Sequence, residues 1–62
     1  MRQYTYLNFT RILNKNGYTC NRCRGDHNIF INNEGRHISV PIRLKAVIAN
    51  RLIKENNLNT NL

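Results

Sequence analysis

The sequence predicts a small α+β domain with the order helix, three strands, helix. Three observations predict it. Apolar residues recur at helical spacing near both ends of the chain. Between them, apolar and polar residues alternate as they do in half-buried strands. Turn formers separate the segments, at Asn16-Gly17, Gly25 and Asn33-Glu34-Gly35. Such short connections favour a sequential antiparallel meander, with both helices on one face of the sheet and the other face open.

The first helix spans roughly Tyr6 to Asn16. Thr5 is its candidate N-cap, and Tyr6, Phe9, Ile12 and Leu13 share one side, with Arg11, Asn14 and Lys15 elsewhere. Gly17 then supplies a left-handed stop. Tyr18 to Arg24 reads as a strand closed by Gly25, and a second strand runs from His27 to about Asn32. The third is the clearest: in Arg36-His37-Ile38-Ser39-Val40-Pro41-Ile42, the apolar Ile38, Val40 and Ile42 alternate onto one face. Pro41 cannot donate to a ladder, so this strand is an edge there or ends there. The second helix begins near Leu44. Leu44, Val47, Ile48 and Leu52 make its stripe, widened by Ala49 and Ile53. Asn56-Asn57 ends it, Leu58 can fold back onto the cap, and Asn59 to Leu62 reads as a frayed tail. The whole chain is one domain with its core between about residues 5 and 58. Double-stranded-RNA-binding domains share this order and layering.

The turn between strands two and three decides the faces. A three-residue turn, Asn33 to Gly35, sets Phe30 opposite Ile38 in the core. His27, Ile29 and Ile31 then share the open face with His37 and Ser39. A four-residue turn would reverse this. Gly35 fits the last position of a three-residue loop, which favours the first register. Ile29 and Ile31 on an open face would form an apolar patch suited to a partner.

Charge narrows the function. Ten Lys or Arg face three Asp or Glu, a formal net charge of +7 on 62 residues. The cations are spread along the chain rather than gathered in a tail, so the folded surface itself is basic. Polyanions or an acidic protein are the matching partners. The plain alternative is a solubilising surface. No stretch resembles a signal peptide or a spanning helix, so the expected location is the cytoplasm, with Cys20 and Cys23 reduced. The apolar stripe of the second helix reads as core rather than as a membrane-surface face.

Gly25-Asp26-His27 stands at the mouth of the second strand. A histidine passes protons near neutral pH, which suits general acid or base work. Arg22, Arg24 and Arg36 would hold a phosphate and its developing charge, with Lys45 as a further contact and Gly25 permitting close backbone approach. RNA brings its own nucleophile, the 2′-hydroxyl, so one histidine and a few cations suffice for cleavage without a metal or other cofactor. The plainer reading is a structural or incidental histidine. His37 would either pair with His27 as acid and base or be a polar residue of the open face. Cys20-Asn21-Arg22-Cys23 has a CxxC spacing, and His27 and His37 would complete four zinc ligands. In a regular strand the two thiols diverge, which argues against zinc. The plain reading makes one of them a buried small residue and the other an exposed thiol.

Taken together, Asn16-Gly17-Tyr18, Gly25-Asp26-His27 with Ile29-Phe30, Asn33-Glu34-Gly35, Ile38-Ser39-Val40-Pro41 and the run Ile53-Lys54-Glu55-Asn56-Asn57-Leu58 resemble the HicA toxins. The resemblance covers roughly Tyr6 to Leu58. It implies a double-stranded-RNA-binding-like fold and a metal-independent mRNA endonuclease of a type II toxin–antitoxin pair. It implies His27 as the single catalytic histidine, RNA as substrate, and a HicB-like antitoxin covering the active face. The chain would be a monomer alone and part of a hetero-oligomer with that antitoxin. Ile29, Ile31 and His37 are our candidates for the antitoxin contact. This sequence departs from the family pattern in two places. Asp26 stands where serine is usual, and would either orient His27 or repel an RNA phosphate. The segment after Pro41 is short and lacks the usual His and Gly residues. Two other classes stay open: a non-catalytic RNA-binding module, and a protein-interaction module for an acidic partner.

Overall fold

The computed structural model describes residues 3–61. Its elements are α1 (Tyr6–Lys15), β1 (Thr19–Arg24), β2 (His27–Ile31), β3 (His37–Pro41) and α2 (Ala46–Glu55). The strands form one antiparallel sheet in the order β1-β2-β3. Phe9, Ile12, Leu13 and Ala49 from the helices share one buried cluster with Phe30, Ile38 and Val40 from the sheet, so both helices lie on the same face. The predicted α-β-β-β-α fold is the observed one.

Each helix is ended by the same local device. Thr5 Oγ1 accepts from the Asn8 N–H at 3.1 Å and caps the start of α1. At its end Gly17 takes φ +86°, its N–H reaches the Asn14 carbonyl, and the Tyr18 N–H reaches the Leu13 carbonyl at 2.9 Å. This is a Schellman motif, and its outer residue, Tyr18, is buried with Leu13. Tyr18 therefore belongs to the cap, and β1 starts one residue later than its composition suggests. In α2, Asn57 takes the left-handed position with φ +52°, and the Leu58 N–H donates to the Ile53 carbonyl at 3.0 Å. Leu58 folds back into the core as its sequence position suggests. Asn16 and Asn56 even repeat a side-chain bond, each amide donating to the carbonyl four residues before it.

Three apolar positions leave the predicted core: Val47, Ile42 and the half-buried Ile48, which does not pack against the buried cluster. The buried line of α2 runs through Ala49, with Leu52 and Ile53 packed against the cluster, and Val47 is 61% exposed on the opposite side. The helix begins at Ala46 rather than Leu44, and it is rotated so that Ala49, Leu52 and Ile53, not Val47, meet the sheet. Ile42 is 47% exposed because β3 ends at Pro41 and the chain bends away. The segment after Leu58 is not simply frayed either. Asn59 is bonded to the side chain of Asn16 in both directions, and the Asn61 N–H donates to Asn59 Oδ1. Leu62 lies outside the described residues.

The β2–β3 register is the one that Gly35 favoured. Phe30 pairs with Ile38, and the Asn32 N–H to Arg36 carbonyl bond leaves a loop of Asn33, Glu34 and Gly35. The Gly35 N–H bonds the Asn32 carbonyl, and Gly35 sits at φ +80°. This is a turn followed by a left-handed residue, a geometry whose twist matches paired strands. The Asn32 side chain reinforces it by accepting from the N–H groups of Glu34 and Arg36.

Candidate functional site

The site is built on the sheet face that the helices leave open. Residues directly opposite one another on paired strands share a face. His27 pairs with Arg24 on one side and Pro41 on the other. The next row is Arg22, Ile29 and Ser39, and the third is Thr19, Ile31 and His37. The face is thus a grid whose first row is a guanidinium, an imidazole and a proline ring.

The hairpin turn sets the first two rows, and a β-bulge sets the third. Between Cys20 and Arg22 the register of β1 shifts by one residue. Cys20 pairs with Phe30, yet Arg22 pairs with Ile29, so Asn21 is an extra residue in the strand. Counted back from the Arg24–His27 pair, an unbulged strand would put Asn21 opposite Phe30 and Cys20 opposite Ile31 on the open face. The bulge reverses the parity of Thr19 and Cys20, and leaves both arginines where the turn sets them, on the face of His27. Residue composition gave no signal for the bulge, since Asn21 is neither glycine nor proline.

The same shift changes the cysteines. Cys20 opposite Phe30 and Cys23 opposite Asn28 both lie on the helix side, so the thiols do not diverge. Nor is one of them buried. Both are free and exposed, because the helices cover β2 and β3 and leave the outer strand uncovered. Among the described residues, no three or more His, Cys, Asp or Glu side chains converge as a metal site.

Gly25 and Asp26 form the two-residue turn between β1 and β2. Gly25 has φ +59° and Asp26 does not have a positive φ, the pattern of a type II′ turn with glycine first. Asp26 also extends the second ladder, its carbonyl accepting from the Ile42 N–H at 2.8 Å. That bond makes His27 and Pro41 a non-hydrogen-bonded pair, which brings their Cα atoms to ~4.5 Å and costs Pro41 no ladder bond. Pro41 is thus a wall beside His27, and it is a site residue that the sequence did not single out. Asp26 lies in the turn before β2, and its carboxylate makes no hydrogen bond to the imidazole. No hydrogen bond or ion pair among the described residues holds the side chains of Arg22, Arg24, Asp26 or His27.

The other candidate residues lie farther away. His37 is on the same face but four positions along β3 from Pro41, roughly 13 Å from His27 at the usual strand rise. A two-histidine acid–base pair is therefore ruled out by the register. Arg36 sits next to His37 at that far end, away from the phosphate that His27 would meet. Lys45 is the N-cap residue of α2, is exposed, and makes no side-chain capping bond. Ile29 and Ile31 are half-buried rather than exposed, flanked by Arg22 with Ser39 and by Thr19 with His37.

No family model, curated protein or solved structure matches the chain. No helix among the described residues is long and apolar enough to cross a membrane.

Proposed function

We propose that the protein is a metal-independent endoribonuclease, of the mRNA-cleaving toxin kind that its motifs resemble, with His27 as its proton-transfer group. The observation that carries this reading is the register of the Gly25-Asp26 hairpin, which puts Arg24 across from His27 and Arg22 one row further on the same face. Arg24 stands directly across from the histidine, with Cα atoms ~5.5 Å apart for a hydrogen-bonded pair. A phosphodiester lying on this row would have one guanidinium beside its oxygens and an imidazole beside its ribose.

The chemistry is the attack of the ribose 2′-oxygen on the adjacent phosphorus. His27 takes the 2′-hydroxyl proton as the O–P bond forms, or gives a proton to the 5′-oxygen as that P–O bond breaks. Arg24 and Arg22 meet the negative charge that builds on the phosphoryl oxygens. No second histidine reaches the same phosphate, so the other proton is exchanged with water, to which His27 is open. The net charge of +7 would draw RNA onto this surface. We place the protein in the cytoplasm, where its substrate is. A HicB-like antitoxin lying over Ile29, Ile31 and His37 would close the face.

The deciding experiment is an RNA cleavage assay in chelator, with wild type and His27→Ala side by side and RNA affinity measured in parallel. Cleavage by the wild type that is lost in the variant, with affinity kept, supports the proposal. RNA binding with no cleavage by either protein rejects it in favour of a binding module. No affinity for RNA leaves an interaction module for an acidic protein.

A further inference from the structure

We infer that Cys20 and Cys23 form a chelating dithiol for a single soft, thiophilic cation of the copper(I) class. The two thiols are free, exposed and on one side of the sheet, the side opposite Arg22, Arg24 and His27. They stand across from Phe30 and Asn28, two positions apart on β2, so their Cα atoms are about 7 Å apart with side chains roughly parallel.

That spacing selects among the chemistries of a thiol pair. A disulfide needs Cβ atoms ~3.8 Å apart, and Cα atoms beyond ~7 Å cannot be bridged without moving the backbone. The bulge shortens the separation from three strand steps to two, which still leaves the Cα atoms at the limit of that range. A structural zinc site needs four ligands, and among the described residues no third His, Cys, Asp or Glu joins the pair. Two sulfurs held by one metal are easier to satisfy. Two metal–sulfur bonds of about 2.3 Å placed end to end span ~4.6 Å, which parallel side chains reach by rotating about χ1. Copper(I) is soft, prefers thiolate, and is content with two ligands in a line. Cys23 Sγ now rests 3.7 Å from the Gly25 carbonyl, on the side away from Cys20, so binding requires this weak contact to be given up. Each thiol loses its proton to solvent as its sulfur bonds the metal, and no electron is transferred.

The test is anaerobic titration of copper(I) against the chromophoric chelator bicinchoninate, using the whole chain. We expect one copper per monomer, with Cys20→Ser and Cys23→Ser each weakening binding by ~100-fold or more through loss of the chelate. A second measurement uses the unaltered protein: one equivalent of copper should protect both thiols from iodoacetamide together, read by mass. Either serine variant binding as tightly as wild type would overturn the inference. So would protection of only one thiol, or a copper-linked dimer in size-exclusion chromatography.

Discussion

The side chain of Asn16 and the backbone of Asn59 are joined by two hydrogen bonds, Nδ2 to the Asn59 carbonyl and the Asn59 N–H to Oδ1, each 2.9 Å. The same Nδ2 also donates to the Ile12 carbonyl at 2.7 Å. One amide thus closes the end of α1 and ties down the chain after α2. Asn16→Ala should lower stability by about 1–2 kcal/mol, since these bonds are part-buried or at the rim. Urea unfolding measures the loss. A change below about 0.5 kcal/mol would mean that the tie does not persist in solution.

The left-handed residue that ends α2 is Asn57, not glycine. Asn57→Gly should raise stability by about 0.5 kcal/mol through relief of Cβ crowding. Thermal melting of the two proteins reads this directly, and a lower melting temperature would contradict the assigned cap.

Ala49 and Val47 exchange the roles their sizes suggest. Ala49 is fully buried while Val47 is 61% exposed. Ala49→Leu should overpack the core at a cost of about 1–3 kcal/mol. Val47→Lys should stay within about 0.5 kcal/mol of wild type. The opposite order of effects, in a denaturant titration, would mean that α2 is rotated.

Deleting Asn21 tests the bulge. The deletion would leave Cys20, Arg22, Cys23 and Arg24 opposite the same partners in an unbulged strand. The fold and the salt dependence of RNA binding should therefore survive it. In a strand with no bulge, the same deletion would slip Thr19 and Cys20 by one residue against β2 and pull Tyr18 from its buried cap, and stability would fall in urea unfolding.

If the proposed cleavage is correct, the arginines differ by position. Arg24→Ala should slow it at least ~10-fold, less than the ~100–1,000-fold of a buried oxyanion donor because the site is open to water. Arg36→Ala and His37→Ala should leave the single-turnover rate nearly unchanged, since both lie at the far end of the face. Equal losses from Arg24→Ala and Arg36→Ala would detach the chemistry from His27.

The fold was largely legible in the residues because local signals agreed with one another. Thr5 and Asn16-Gly17 bounded α1, Gly35 chose the loop, and the loop chose which face His27 takes. Pro41 marked the end of an edge strand, and in this register it sacrifices no bond. What escaped was a matter of parity and of coverage. A bulge at an ordinary asparagine flips Thr19 and Cys20 relative to the rest of β1, and nothing in the composition announces it. The burial of Ala49 over Val47 depends on how α2 is rotated against the sheet, which apolar residues on both of its sides leave open. The site was partly legible for the same reason. His27 and its neighbours in sequence were visible, but Pro41 joins them only across the ladder.

The start of α2 has a consequence for motion. Lys45 puts a cation at the positive end of the helix and offers it no side-chain cap, and no acid occupies the first turn. The other end is held by Leu58 in the core and Asn59 on Asn16. The helix is therefore a lever pinned at its C-terminus. Its amides should exchange with solvent deuterium in a gradient, fastest toward Ala46 and slowest toward Leu58, and a protease should first cut just after β3. The connection that follows Pro41 would thus open while the sheet and its row of Arg24, His27 and Pro41 stay assembled.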